Sequence, residues 1–263
     1  MTTVGFIGAG NMGGALIRGW AGEQGLQIVA YDPDLERLQV LAQQTGLKAL
    51  DSVRKVVQES DYLLLAVKPN LTGKVLGEAA DLVRPKQVLV SIAAGVQMQK
   101  LEQSIQNACS VVRVMPNTPA LIGSGVFAIC FPESGLEQEK QDYLLDLFSR
   151  LGRVHQLQEK DMDAFTALIG SGPAYMFYVL QSLVQAGVSL GFSREQAKEM
   201  VLGLAQGSVR MAEQGQEPLA ELLEQVCSPA GTTIQGVNQL ERSAVRAAII
   251  DAVQAAWHRS REL

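Results

Sequence analysis

Cysteine and histidine are both scarce in this sequence, which contains three cysteines and two histidines in 263 residues. Cys109, Cys130 and Cys227 form no C-x-x-C pair and have no histidine nearby in the sequence, so we predict neither a disulfide framework nor a zinc site. His155 and His258 lie too far apart to form a metal-binding motif. We therefore expect reduced, largely buried thiols and no bound metal.

The sequence also lacks an excess of positive charge and a long apolar segment. Its formal net charge is -5 and its pI is about 5.2, which argues against nucleic acid or an anionic membrane as a partner because both require a basic face. The N-terminus shows no basic region followed by an apolar one, and we expect no run of the roughly 18 apolar residues that span a membrane. These features predict a cytoplasmic protein that binds a small-molecule substrate, with no nucleic acid and no membrane as partners.

Apolar residues and glycine, by contrast, are plentiful. Hydrophobic residues make up 47% of the chain, charged residues 19%, and there are 25 glycines. This composition is typical of a well-packed globular enzyme rather than of a disordered or fibrous chain. Because a typical domain has about 100 to 200 residues, the length favours two domains.

A glycine-rich turn near the start of the chain is the sharpest local motif. The apolar run Thr3–Ile7 leads into Gly8-Ala9-Gly10-Asn11-Met12-Gly13, and a helical pattern and a second strand ending at Asp32 follow. In such a G-x-G-x-x-G pattern the first glycine permits a tight turn, the second lets the backbone approach a pyrophosphate, and the third allows close packing of helix on strand. A purely structural turn is the alternative, but this setting favours dinucleotide binding by all six residues.

Asp32 bears on the choice between the two nicotinamide dinucleotides. A carboxylate at the end of the second strand accepts hydrogen bonds from the adenosine ribose hydroxyls of NAD and repels the additional phosphate of NADP. Arg37, in the following helix, is placed where it can be turned toward such a phosphate, and a solvated turn is an equally good interpretation of Asp32. The predicted cofactor is therefore NADP(H) or NAD(H), with Asp32 among its ligands.

Strands and helices alternate as far as about residue 158, which predicts right-handed crossovers and a mainly parallel sheet. Small residues follow several of these strands, at the carboxyl edge where a doubly wound sheet binds its ligand. We predict that the following residues contact the cofactor: Ala66, Val67, Lys68, Pro69, Ala94 and Asn117. The Asn117 amide is expected near the nicotinamide ribose. Ordinary turns after strands, and a solvated Lys68, are the alternatives.

No strand pattern remains beyond residue 158. Residues 159–263 have helical periodicity, with an interruption at Gly170-Ser171-Gly172-Pro173 and a capping box at Ser193-Arg194-Glu195-Gln196. The helix predicted over Ala174–Val188 is apolar around most of its circumference, and one small domain cannot cover all of it. We predict a dinucleotide-binding domain over residues 1–158 and a helical domain over residues 159–263 that provides a dimer interface.

The stretch from Val226 to Ile234 predicts a helix start that holds an anion. An apolar helical pattern precedes it and another begins at Ile234. The first free N–H groups of the second helix, together with its dipole, favour a carboxylate or phosphate. On spacing alone, a turn between two packed helices is the more common structure.

Six motifs in order along the chain together resemble the pyrroline-5-carboxylate reductase family. They are the glycine motif and the segments Ala66–Pro69, Ser91–Val96, Met115–Pro119, Gly170–Tyr175 and Cys227–Ile234, of which the last is the most specific. The resemblance implies reduction of 1-pyrroline-5-carboxylate to L-proline with NADPH or NADH, the last step of proline biosynthesis. It also implies an N-terminal Rossmann-like doubly wound sheet followed by an all-helical C-terminal dimerisation domain, in a homodimer that can form higher assemblies of dimers.

Within this resemblance the helix start becomes a clamp for the substrate carboxylate. The predicted donors are the backbone N–H groups of Gly231, Thr232 and Thr233, with a hydroxyl from Ser228 or Thr233. Thr233 is also the predicted catalytic residue, through a hydrogen bond to the ring nitrogen that helps to supply its proton, a role that bound water serves as well. The family motif often has glycine where this sequence has Ala230, so we expect that position 230 does not need a positive φ.

Two other functions fit the same elements. A β-hydroxyacid dehydrogenase shares the domain order but requires a catalytic lysine on the long helix after a glycine-rich turn, and no lysine lies between Gly170 and Leu180. A non-catalytic dinucleotide-binding sensor is the alternative from another class. Oxidation of NAD(P)H that depends on added pyrroline-5-carboxylate separates the three.

Overall fold

The computed structural model describes residues 1–133 and 135–262. Within them the chain forms two compact units, one made of Met1–Ser171 together with the residues from Ala256 onwards, and the other of Gly172–Ala255. The first unit contains the sheet, and the regular structure of the second is helical. The predicted boundary at residue 158 marks the end of the strands and stays a prediction.

The sheet at the centre of the first unit has eight strands. They are β1 (Thr2–Ile7), β2 (Leu26–Tyr31), β3 (Lys48–Ala49), β4 (Tyr62–Leu65), β5 (Val88–Ser91), β6 (Ser110–Met115), β7 (Gly125–Cys130) and β8 (Gly152–Gln156). Their spatial order is β3-β2-β1-β4-β5-β6-β7-β8, and every pair is parallel except β6 with β7. The predicted Rossmann-like doubly wound sheet is confirmed.

Helices and their connections cover both faces of this sheet. The helices are α1 (Asn11–Trp20), α2 (Leu35–Thr45), α3 (Val53–Glu59), α4 (Thr72–Gly77), α5 (Met98–Ser104), α6 (Gln138–Ser149) and α7 (Met162–Phe165). One apolar core contains Trp20 and Phe148, whose rings meet edge to face with 5.1 Å between centroids. The other contains Leu65, Val56 and Met162. Because both faces are buried, the central strands are continuous apolar runs.

The remaining helices are α8 (Gly172–Ser189), α9 (Arg194–Gln214), α10 (Leu219–Gln225), α11 (Thr232–Arg242) and α12 (Val245–Ser260). The predicted capping box is confirmed, because Gln196 N donates to Ser193 Oγ and Ser193 N donates to Gln196 Oε1, both at 3.2 Å. Large apolar side chains of these helices and their connections stay exposed, among them Phe177, Tyr178, Leu190 and Leu204. Such exposed apolar surface is what the predicted dimer interface requires.

The predicted interruption at residues 170–173 is only a change of helical pitch. Thr166–Gly170 form a π turn in which Ser171 N donates to Thr166 O at 2.9 Å, and α8 follows from Gly172. Pro173 has no N–H to donate to Ile169 O, and its ring would clash with that carbonyl in a regular α-helix. The wider π turn removes the conflict, so the helix continues.

The continuous helical run Glu159–Ser189 corrects a second expectation. It is 31 residues long and contains an 18-residue window with a mean hydropathy of 1.2, so the expectation of no apolar segment of membrane-spanning length is wrong. Only 11% of the window is buried within the chain.

Candidate functional site

The glycine motif forms the turn between β1 and α1. Gly8 has a φ of +100°, and a Cβ there would lie 2.7 Å from Ala66 O, while a Cβ on Gly13 would lie 2.6 Å from Gly8 O. Close backbone packing therefore requires both glycines. A Cβ on Gly10 would meet, among the described residues, Arg37 Nη1 alone within 4 Å, at 3.9 Å. The helix begins after Gly10 with no side-chain cap. The open space at Gly10 therefore lies over the free N–H groups of the first helical turn, and we call it the glycine cradle. Such a site fits a pyrophosphate.

Asp32 lies directly beside this turn. Its Oδ2 accepts a hydrogen bond from Ala9 N at 2.6 Å and its Oδ1 accepts one from Asp34 N at 2.9 Å. The residue is only 6% exposed, so the alternative of a solvated turn is wrong: two backbone donors replace water around the carboxylate. The two hydrogen bonds hold the carboxylate in place against the glycine turn. The role of Asp32 as a ribose ligand stays a prediction.

The predicted cofactor residues share the carboxyl edge of the sheet. Ile7 is in register with Leu65, and Leu65 with Ser91, so the loops after β1, β4 and β5 are neighbours. The edge brings together the glycine motif, Asp32, Ala66, Val67, Lys68, Pro69, Ala94 and Asn117. Lys68 is exposed, and Ala66, Val67, Pro69 and Ala94 are half-buried. Their contacts with a cofactor stay predictions.

The Asn117 side chain is buried and both ends of its amide have protein partners. Its Oδ1 accepts a hydrogen bond from Val126 N at 2.9 Å, and its Nδ2 donates to Ile169 O at 3.4 Å. Ile169 O is the carbonyl to which Pro173, four residues later, has no N–H to donate. Asn117 therefore links β7 to the π turn. These two hydrogen bonds of its amide compete with the predicted hydrogen bond to the nicotinamide ribose.

In the second unit, Cys227–Ile234 forms a turn and the start of α11. The helix begins at Thr232 rather than at Ile234, with Gly231 as a cap that has no side chain. Gly231 N donates to Ser228 O at 3.0 Å, so this N–H is used within the turn. The N–H groups of Thr232 and Thr233 lie in the first helical turn, where no intrahelical acceptor reaches them. Ser228, Thr232 and Thr233 are exposed.

Comparison with known proteins places these elements in one family. Residues 159–263 match the model described as pyrroline-5-carboxylate reductase dimerisation, and residues 3–95 match NADP oxidoreductase coenzyme F420-dependent. Pyrroline-5-carboxylate reductase of Corynebacterium melassecola is 38% identical over 100% of this chain and 99% of the relative. The enzyme of that name from Escherichia coli (strain K12) is 36% identical over 99% of this chain and 97% of the relative. The chain belongs to the pyrroline-5-carboxylate reductase family.

Structural similarity extends over the whole chain. The crystal structure of Plasmodium falciparum pyrroline carboxylate reductase with NADP bound has a TM-score of 0.90 and 34% identity, covering 99% of this chain and 97% of that one. The predicted family is confirmed, as are the predicted class of NAD(P)H-dependent oxidoreductase and the helical dimerisation domain. Membership of the pyrroline-5-carboxylate reductase family does not support the alternative of a β-hydroxyacid dehydrogenase.

One expectation about the family's C-terminal motif is wrong. Ala230 has a φ of +59°, although we expected that an alanine here meant no positive φ. The turn closed by Gly231 N and Ser228 O places residue 230 in the left-handed region, where a Cβ costs about 1 to 2 kcal/mol. This chain therefore carries local strain at Ala230.

We expect Ala230→Gly to raise the free energy of unfolding by about 0.5 to 1 kcal/mol, because relief of the strain exceeds the entropy that glycine adds to the unfolded chain. Urea denaturation at a fixed protein concentration measures this. The control is Ala252→Gly, an exposed position within α12, which should lose about 1 kcal/mol. Equal losses in both variants would show that position 230 carries no strain.

A buried arginine, Arg113, forms an ion-pair cluster with two carboxylates that no sequence pattern predicted. Arg113 on β6 is 3% exposed, and its guanidinium lies 3.3 Å from Glu159 Oε1 and 3.7 Å from Asp163 Oδ1. Glu159 Oε1 also accepts a hydrogen bond from Met98 N at 2.6 Å, and Ser260 Oγ donates to Asp163 Oδ1 at 3.0 Å. The cluster joins the sheet, α5, α7 and the end of α12. An arginine within the apolar strand Ser110–Met115 was the available signal.

The described cysteines are free thiols, as predicted. Cys130 is buried, with its Sγ 3.7 Å from Met98 Sδ. Burial raises the pKa of the Cys109 thiol to about 11, so this group stays protonated at neutral pH. Cys227 and Cys109 are half-buried rather than buried. We therefore assign no role in the reaction to a Cys109 thiolate.

Proposed function

We propose that this protein reduces 1-pyrroline-5-carboxylate to L-proline by hydride transfer from NAD(P)H, the last step of proline biosynthesis. The observation that carries the proposal is membership of the reductase family over the full chain. Two features of the structure support it: the open glycine cradle at Gly10 and the uncapped helix start at Thr232. One suits a dinucleotide and the other suits a carboxylate.

Reduction of the imine needs few reactive groups from protein side chains. The substrate's C=N bond takes a hydride at carbon and a proton at nitrogen, and the imine protonates from water near neutral pH. When bound, the reduced nicotinamide supplies the hydride. The chain's task is to hold the imine carbon at near-attack distance, about 3 to 3.5 Å from the donor carbon. The glycine turn binds the pyrophosphate for this purpose, and small residues at Ala66 and Ala94 leave room beside the sheet edge.

The substrate carboxylate is held by the start of α11. The N–H groups of Thr232 and Thr233 and the positive end of the helix dipole attract it, and the hydroxyl of Ser228 or Thr233 adds a donor. Gly231 does not donate its N–H to the substrate, because that N–H donates to Ser228 O. Its lack of a side chain matters instead, since a Cβ would lie 3.1 Å from the same oxygen. Thr233 is the assigned catalytic residue, with a hydrogen bond to the ring nitrogen.

Thr233→Val removes the hydroxyl while keeping the shape and the backbone N–H. We expect kcat/KM for pyrroline-5-carboxylate to fall about ten- to a hundredfold, the value of a hydrogen bond to a charged group, with cofactor affinity unchanged. Ser243→Ala, at the other end of α11, is the matched control and should retain activity. An unaltered kcat/KM in Thr233→Val would remove Thr233 from the site.

The dimerisation domain supports a homodimer. We propose that the exposed apolar side chains of α8 and α9 meet the second copy, that the helix Glu159–Ser189 serves this contact rather than a bilayer, and that dimers associate further. We also propose that the protein is cytoplasmic and that neither nucleic acid nor a membrane is its partner. Residues 1–158 bind the cofactor, and residues 159–263 bind substrate and dimerise.

A further inference from the structure

The adenosine end of the cofactor site has an unusual charge arrangement. Four charged residues follow β2 within residues 32–37, of which Glu36 is exposed. The other three, Asp32, Asp34 and Arg37, are linked by hydrogen bonds and an ion pair. Asp32 is buried, and its two oxygens are fixed by Ala9 N and Asp34 N. Asp34 caps α2 through a hydrogen bond from Arg37 N at 3.0 Å, and its other oxygen pairs with Arg37 Nη2 at 2.9 Å.

Asp32 therefore cannot turn away from a ligand seated on the glycine turn. Each carboxylate oxygen retains a lone pair after accepting one N–H, so the group accepts hydrogen bonds from ribose hydroxyls. A 2′-phosphate has no hydrogen to donate at neutral pH and would face a fixed negative charge in a poorly solvated position. This arrangement favours a ribose with a free 2′-hydroxyl.

Arg37 is the residue that can compensate this repulsion. Its guanidinium reaches the glycine turn, with Nη1 3.9 Å from the position of a Cβ on Gly10. However, Asp34 already neutralises it, and both side chains of this pair are about half exposed, at 53% and 44%. A 2′-phosphate would have to share Arg37 with Asp34 while it approaches Asp32, so two carboxylates oppose one arginine.

We infer that this protein prefers NADH to NADPH, with Asp32 as the residue that determines the specificity and Asp34 as the residue that neutralises Arg37. The inference rests on the proposed function only in taking the bound dinucleotide as the hydride donor. It concerns binding of the adenosine end, which can be measured without turnover.

Calorimetric titration with NAD⁺, NADP⁺, 5′-AMP and 2′,5′-ADP tests the inference directly. The wild-type protein is expected to bind NAD⁺ at least tenfold more tightly than NADP⁺, and 5′-AMP more tightly than 2′,5′-ADP. Asp32→Ser should abolish this difference. Asp34→Ser keeps a helix cap but frees Arg37, so it should bind NADP⁺ about tenfold more tightly than wild type and NAD⁺ with unchanged affinity.

Arg37→Ala is the matched variant for the opposite assignment. If wild type binds NADP⁺ more tightly than NAD⁺, and Arg37→Ala removes that preference, Arg37 is a 2′-phosphate ligand and the inference is overturned. Asp34→Ser and Arg37→Ala decide the question even where Asp32→Ser does not fold. A protein that binds the dinucleotides in the predicted order but does not turn over pyrroline-5-carboxylate would contradict the proposed function alone.

Discussion

Gly10→Val is expected to reduce dinucleotide affinity at least a hundredfold while leaving the fold intact. Gly10 has a φ of -64°, which any residue adopts, and a Cβ would meet no described atom closer than Arg37 Nη1 at 3.9 Å. The fold therefore does not need glycine here. The valine side chain would instead occupy the space in which the pyrophosphate approaches the backbone.

The neighbouring Gly13 provides the contrast. A Cβ there would lie 2.6 Å from Gly8 O and 3.1 Å from Ala66 Cβ, so Gly13→Ala must push α1 away from the strand and is expected to cost about 1 to 3 kcal/mol. Thermal unfolding and calorimetric titration with NAD⁺ and NADP⁺ separate the two effects. Wild-type affinity in a folded Gly10→Val protein would show that the cradle does not hold the dinucleotide.

Arg113→Met is expected to lower the free energy of unfolding by about 2 to 4 kcal/mol, because it leaves two carboxylates side by side without their cation. The side chains of Glu159 and Asp163 are 36% and 27% exposed, so water recovers part of the loss. Methionine fills a similar volume, which keeps the contribution of a cavity small. Urea denaturation at a fixed protein concentration measures the change.

The control for Arg113 is an exposed ion pair of good geometry. Arg54 donates to both oxygens of Asp81, at 2.7 and 2.9 Å, on the surface, and Arg54→Met should unfold close to the wild type because surface pairs contribute little. A similar loss in both variants would mean that the Arg113 cluster holds no more stability than a surface pair.

Sequence patterns predicted the sheet and its ligand edge well, because strand alternation and the glycine motif are local features with few structural solutions. Gly8 and Gly13 occupy the tight positions that the motif implies. By contrast, the partners of Asp32 and Asn117 depend on which backbone groups of distant segments come within reach. The Asp32 carboxylate accepts a hydrogen bond from Ala9 N, and the Asn117 amide donates one to Ile169 O. No local sequence pattern specifies either contact.

The errors have a shared physical origin. Gly170–Pro173 suggested a break because proline and glycine weaken a regular helix, but a π turn accommodates them with one added residue in the hydrogen-bonded ring. Ala230 suggested an ordinary backbone because alanine avoids positive φ, yet the turn before α11 imposes it. In each case the surrounding structure overrides a residue's intrinsic preference.

The most direct test of the account is the absorbance of NADH and NADPH in the presence of the purified protein, followed before and after addition of pyrroline-5-carboxylate. We predict no oxidation until the imine is added, and then oxidation with formation of an equal amount of proline. Binding of the dinucleotide without oxidation would identify a sensor, and oxidation only with other substrates would place the reaction elsewhere; either result would contradict the assignment.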